Sequence, residues 1–131
     1  MQFDDAGNST RPTMDADGLR VDRVVHGPVV VYQVTGEVDT LTAPHLDLAM
    51  TGTDDESTGV SHVVLDLTEV PFLSSAGLSI LVEQHTRCTR DGIGFAVVAS
   101  QHAALRAIQI TGLDSVIPLY ESLPAALRAA D

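Results

Sequence analysis

Residues 65–81 read Leu65-Asp66-Leu67-Thr68-Glu69-Val70-Pro71-Phe72-Leu73-Ser74-Ser75-Ala76-Gly77-Leu78-Ser79-Ile80-Leu81. Val63 to Leu67 is a short apolar run of strand length, and Pro71 marks a turn after it. Leu78, Leu81, Val82, His85, Cys88 and Thr89 then recur at helical spacing on one face. Asp91-Gly92 stops that helix. A strand leading through a short turn into a helix is the unit of an α/β fold.

Working outward from this unit, the pattern repeats. Phe95 to Ala99 reads as a strand, Ser100 as a cap, and Ala104, Leu105 and Ile108 as a helical stripe that Gly112 ends. Val116 to Leu119 is a last strand, and Ser122 with Pro124 opens a terminal helix reaching about Arg128. Upstream, Leu19–Val25 and Val29–Thr35 are β-rich runs joined by His26-Gly27-Pro28, the signature of a hairpin. Val29-Val30-Val31 is unbroken by polar residues, as in a strand covered on both faces. Thr42 caps a helix with Pro44 in its first turn and Leu46, Ala49 and Met50 on its inner face; Leu41 is placed to staple onto Leu46. Residues 51–60 form a polar loop whose run Asp54-Asp55-Glu56 is a solvated acidic stretch. Residues 1–18 are acidic and poor in apolar residues, and are expected to be a disordered tail. The expected fold is a single α/β domain over residues 19–131. Its sheet is mixed and mostly parallel, with an N-terminal hairpin and about four helices.

Composition narrows the function. The chain has 131 residues, enough for one domain with its own core. Hydrophobic residues make up 44% and aromatics only 4%, with no Trp, so the core is aliphatic. Seven basic residues against 18 acidic ones give a net charge of -11. That opposes binding to nucleic acid or an anionic membrane and favours a basic protein surface. One cysteine, Cys88, cannot form an internal disulfide. No signal peptide or membrane-spanning run is evident, so a cytoplasmic location is expected.

The turn after the 63–67 strand is the candidate site. Functional groups in open α/β sheets gather at the C-terminal ends of strands. The first backbone N–H groups of a helix are unpaired and the dipole is positive there, so a phosphate on Ser74 or Ser75 is tolerated.

This stretch resembles the STAS-domain anti-anti-sigma factors, or anti-sigma factor antagonists. The likeness is carried by Asp66-Leu67 and Phe72-Leu73-Ser74-Ser75-Ala76-Gly77-Leu78. Gly36-Glu37-Val38-Asp39 and Ile110-Thr111-Gly112-Leu113 add two more family-like segments in order and register, and the resemblance covers about residues 19–128. It implies a protein that binds an anti-sigma factor serine kinase, releases the sigma factor and is switched off by phosphorylation. A PP2C-type phosphatase would reset it. The implied phosphoacceptor is Ser75, with Ser74 as the alternative. Glu37, Asp39, Leu73, Ser74, Ala76, Gly77 and Leu78 are the implied partner contacts. Two positions depart from the family pattern: Ser74 stands where Asp is frequent, and Ala76 where Ser or Thr is usual.

Other signals carry less. His26, His45, His62, His85 and His102 have no metal-ligand spacing, and His85 with Cys88 reads as core packing. Asp66 reads as a turn-stabilising residue. Gly92-Ile93-Gly94 precedes a strand, so it is not a phosphate loop. The serines lie in no Gly-x-Ser-x-Gly elbow. No catalytic residue, cofactor or metal is expected, and the chain should be a monomer or weak dimer. The rival reading is a small α/β nucleotide-binding or enzymatic domain with its site at the strand C-terminal ends. A receiver-like domain is a further rival, but it needs an acidic cluster and a Lys that this chain does not convincingly supply.

Overall fold

The computed structural model describes residues 8–51 and 59–130. The acidic run Asp54-Asp55-Glu56 and residues 1–7 lie outside the described residues.

Six strands form one sheet in chain order: β1 (Asn8–Ala16), β2 (Leu19–His26), β3 (Val29–Thr35), β4 (His62–Glu69), β5 (Gly94–Val98) and β6 (Leu119–Tyr120). The β1–β2 and β2–β3 pairs are antiparallel, and the remaining pairs are parallel. Helices α1 (Ala43–Thr51), α2 (Ser75–Arg90) and α3 (His102–Ile110) follow β3, β4 and β5, and α4 (Leu123–Ala129) follows β6. This is the expected mixed α/β sheet with four helices.

The alternation along β3 explains the layering. Val30, Tyr32 and Val34 face one core with Leu46, Ala49 and Met50 of α1, Leu81 of α2 and Ile108 of α3. Val29 and Val31 face a second core with Val64, Val98 and Ala126 of α4. A strand buried on both faces needs no polar alternation, which is why β3 opens on the unbroken run Val29-Val30-Val31.

Five local expectations change. Residues 8–16 are a strand, not a tail. A two-residue turn, Asp17-Gly18, joins β1 to β2, and both residues have positive φ (56° and 82°). That is the Asp-Gly hairpin turn, and main-chain pairing holds such a strand without an apolar face. Leu41 does not staple onto Leu46; it is 63% exposed. The inner face of α2 includes Gln84, 2% exposed, while Val82 is 43% exposed. Gln84 turns inward because its amide donates to Asp47 of α1 at 3.2 Å. Finally, α3 is preceded by Gln101 rather than capped by Ser100. The Gln101 amide donates instead to the Thr68 carbonyl at 2.9 Å, and a short 3₁₀ turn, Leu113–Ser115, displaces the start of β6 to Leu119.

Candidate functional site

Two loops leave neighbouring parallel strands at the same end of the sheet. Residues 36–42 connect β3 to α1, and residues 70–74 connect β4 to α2. They are stitched together. The Val38 N–H donates to the Phe72 carbonyl at 3.0 Å, the Ser74 N–H donates to the Val38 carbonyl at 2.9 Å, and Val38 bridges Leu73 in parallel register. The Gly36 N–H adds a bond to the Glu69 carbonyl at 3.2 Å. Backbone groups that would otherwise need water are paired across the two loops, which fixes their relative position.

Ser74 is the N-cap of α2: its backbone is extended and its Oγ accepts the Gly77 N–H at 3.4 Å. Ser75 is the first helical residue. Its side chain is exposed, and its hydroxyl makes no hydrogen bond among the described residues. Leu73 is 4% exposed, and Gly77 is buried against it. A Cβ on Gly77 would lie 2.6 Å from Leu73 Cδ1 and 2.9 Å from Val38 Cγ1. Gly77 is therefore required by internal packing, and it lets α2 start close beneath the stitched loops. Ala76 and Leu78 are half-buried, and Glu37 is exposed.

One carboxylate oxygen of Asp39 turns back on its own loop. Oδ1 accepts the N–H groups of Leu41 and Thr42, each at 3.0 Å, and faces the Thr42 hydroxyl at 3.1 Å. That hydroxyl also accepts the Asp39 N–H at 2.9 Å and reaches the Glu37 carbonyl at 2.8 Å. The Thr42 N–H, then the Thr42 hydroxyl and the Leu41 N–H, hold the Asp39 carboxyl below the usual carboxylate range, against a smaller opposing effect of burial. Asp66 lies within β4 and not in a turn: at the register shift against β3 its Oδ1 accepts the Thr68 N–H at 3.0 Å and the Thr68 hydroxyl at 2.5 Å.

Residues 36–42 and 69–79 contain no Lys or Arg, whereas Glu37, Asp39 and Glu69 bring negative charge to this end of the molecule. Leu41, 63% exposed, and Phe72, 45% exposed, add apolar surface on the two stitched loops. Sequence reasoning gave Leu41 an internal role. The Asp39 bond to its N–H is the detail that turns it outward, and the Asp39-Thr40-Leu41-Thr42 turn pattern was the available signal.

A cleft of about 430 Å³ opens on the α4 side of the strand ends, lined by Asp22, Gln33, Asp66, Thr68, Glu121 and Ser122 among others. It does not include Ser75, and its acidic lining opposes a nucleotide phosphate. Among the described residues, no group of three or more His, Cys, Asp or Glu is placed to hold a metal ion. Cys88 is buried, and His85 lies against the Phe95 ring with centroids 6.3 Å apart. Among the described residues no helix is long and apolar enough to cross a membrane.

A sheet whose strand-end loop delivers Ser-Ser-Ala-Gly-Leu into a helix defines a class. The chain belongs to the STAS domain family, whose model matches residues 20–126. It is similar to the anti-sigma-F factor antagonist RsfB of Mycobacterium tuberculosis, with 32% identity over 111 residues, 85% of this chain and 88% of RsfB. It is also similar to a crystal structure of an anti-sigma factor antagonist from Mycobacterium paratuberculosis, with 38% identity and a TM-score of 0.75. That likeness covers 88% of this chain and 97% of the other. The fold matches that of the anti-sigma factor antagonist SpoIIAA in its unphosphorylated form, with a TM-score of 0.66 at 13% identity, over 92% of this chain and 96% of that one.

Proposed function

We propose that this chain is an anti-sigma factor antagonist that docks through the Ser75 loop onto an anti-sigma factor with serine kinase activity, frees the sigma factor, and is released when Ser75 is phosphorylated. The observation that carries this reading is the contrast between adjacent hydroxyls. Ser74 Oγ caps α2, while the Ser75 side chain is exposed with its hydroxyl unengaged among the described residues. A kinase needs an accessible acceptor, so Ser75 takes the phosphate rather than Ser74. The relatives' names, anti-sigma-F factor antagonist, support the choice of partner.

The switch is electrostatic. A phosphate adds about -1.5 to -2 charges at neutral pH. The N-terminus of α2 stabilises it by about 0.3–1 kcal/mol, so the fold survives. The flanking loops carry no cation to neutralise it. Burying it at an interface without a matched partner costs several kcal/mol, a large share of the roughly 8 kcal/mol in a micromolar complex. Glu37, Ala76, Leu78 and the rim of Ser74 form the contact surface. Asp39 acts by fixing the loop, and Leu73 and Gly77 act from beneath it. A PP2C-type phosphatase restores the hydroxyl. The protein works in the cytoplasm, where its partners are, and is not an enzyme.

The test mixes the purified protein with a serine-kinase anti-sigma factor and ATP and locates phosphate by mass spectrometry. Phosphate on Ser75 that is absent from Ser75→Ala supports the reading. Phosphate on Ser74 alone, or turnover of a small molecule without any partner, defeats it. Ser75→Glu should weaken binding at least tenfold (about 1.4 kcal/mol) with little change in thermal midpoint.

A further inference from the structure

The family match begins at residue 20, so β1 and its turn lie outside it. Yet the turn stands at the functional end of the sheet. Because β2 runs antiparallel to β3, Arg20 pairs with Thr35, and Asp17-Gly18 falls beside Gly36, where the loop to α1 begins. The contact is close: a Cβ on Gly36, which has φ 115°, would overlap the Gly18 carbonyl oxygen. Asp17 Oδ2 also meets Nε2 of His45 on α1 at 2.8 Å. The turn is thus clamped between the start of the 36–42 loop and the α1 helix.

We propose that this hairpin turn extends the docking surface around Ser75, and that the face it meets on the anti-sigma factor is basic. The inference rests on the reading of Ser75 as the docking site. Gly36 lies two residues from Val38, which is bonded to Phe72 and Ser74. The path from the turn to Ser75 is therefore about 20 Å along paired backbone. An interface of ordinary size covers about 800 Å² per partner, a patch roughly 30 Å across, so one partner spans both.

The chemistry is continuous along that path. Asp15 and Asp17 have side chains 72% and 47% exposed. Glu37 and Glu69 are exposed beyond them. The Arg20 guanidinium lies 3.9 Å from Asp15 and is bonded to Asp22 at 3.0 Å, so it offsets part of the acidic charge at the turn, while residues 36–42 and 69–79 hold no Lys or Arg. Leu41 and Phe72 provide the apolar centre that a specific interface needs, with the acids as its charged rim. A partner with an apolar contact ringed by Lys and Arg is complementary, whereas an acidic face would be repelled. Because the turn is held by Gly36 and His45, little loop ordering is left to oppose binding.

The test uses a purified anti-sigma factor whose binding is abolished by Ser75→Glu. Association and dissociation rates are measured for the unsubstituted chain and for Asp15→Lys/Asp17→Asn. Asn tolerates positive φ and can still bond His45, so the change is mainly one of charge. The association rate should fall about five- to tenfold at low salt and return to the unsubstituted value near 0.5 M salt, with dissociation and thermal midpoint little changed. If Ser75→Glu abolishes binding but the double variant associates at the original rate at both salt levels, the docking site stands and its extension to the hairpin is wrong. A loss that is independent of salt and accompanied by a lower midpoint makes the hairpin a buttress only, and equally overturns the extension. If the unsubstituted chain binds no anti-sigma factor, both proposals fail together.

Discussion

At the entrance to α1, Thr42 is 3% exposed and its hydroxyl is bonded to Asp39 and Glu37. At the entrance to α2, on the other side of the Val38–Leu73 bridge, Ser75 is exposed with its hydroxyl unengaged among the described residues. The two loops leave adjacent strands and start adjacent helices, so topology alone would make them equivalent. What separates them is where their polar side chains go. The first loop turns Asp39 and Thr42 on itself and becomes a rigid support. The second closes its cap with Ser74 and leaves the next hydroxyl exposed. A rigid loop stitched to its neighbour and packed on the core through Val38 and Leu73 holds the start of α2 in a fixed position.

The sharpest way to break this contrast is to separate the loops. Gly77→Val would place a Cβ 2.6 Å from Leu73 Cδ1 and add two methyl groups where Val38 already packs. Overpacking of this kind costs about 3 kcal/mol, the upper end of its range. Denaturant unfolding measures it, and an unchanged midpoint would mean that the loops are not packed on α2. Removing the internal bonds of the first loop comes next. Thr42→Val keeps the shape but leaves the Asp39 N–H and the Glu37 carbonyl without their partner. The expected loss is about 1–2 kcal/mol. Loosening of Val38 should follow, visible as faster hydrogen exchange at the Val38 and Ser74 amides. Exchange that stays as slow as in the unsubstituted chain would show that the two loops are independent.

Much of this end of the molecule is legible in the sequence, and the reasons differ by residue. Ser74 and Ser75 stand out because helix capping is a local chemistry, readable from neighbours three positions apart. The valines of β3 announce a doubly covered strand for a similarly local reason. Strand β1 was missed because its stability comes from pairing with β2, and main-chain hydrogen bonds leave no trace in side-chain hydrophobicity. The Asp17-Gly18 turn was the one cue available. Gln84 was missed because its partner Asp47 lies 37 residues away in the chain. The internal hydrogen bonds of Asp39 Oδ1 were not legible for the opposite reason. A carboxylate beside a candidate acceptor reads as a contact, and only geometry shows that its oxygen already holds the Leu41 and Thr42 amides.

The support loop also has a pH signature that the presenting loop lacks. The hydrogen bonds from Thr42 and Leu41 lower the pKa of Asp39 in the folded protein relative to the unfolded chain. Protons therefore bind the unfolded state more readily, and the Asp39 contribution to stability is complete above the ordinary carboxylate pKa of about 4. It fades as pH falls through the lowered folded value. Asp39→Ala should be less stable than the unsubstituted protein by a constant margin from neutral pH down to about pH 4, and the two should converge below that. Urea midpoints across that range check it. A margin that persists unchanged into strong acid would show that Asp39 acts through something other than its charge.

The smallest effects test the contrast between neighbours directly. Ser74→Ala removes the side-chain acceptor of the Gly77 N–H, and caps of this kind contribute about 0.5–1 kcal/mol. The 3.4 Å length of the bond places the expected loss at the lower end of that range. Ser75→Ala removes a hydroxyl with no recorded partner among the described residues, and Ala is the best helix former, so stability should stay within about 0.5 kcal/mol. In a kinase assay the order reverses: Ser75→Ala should lose phosphate uptake, and Ser74→Ala should keep it. Stability assigned to one serine and phosphorylation to the other is a double dissociation that a merely structural pair could not produce. Loss of phosphate uptake in both variants, with equal losses of stability, would mean that the two hydroxyls act as one cap and that residue 75 is not presented to a partner at all.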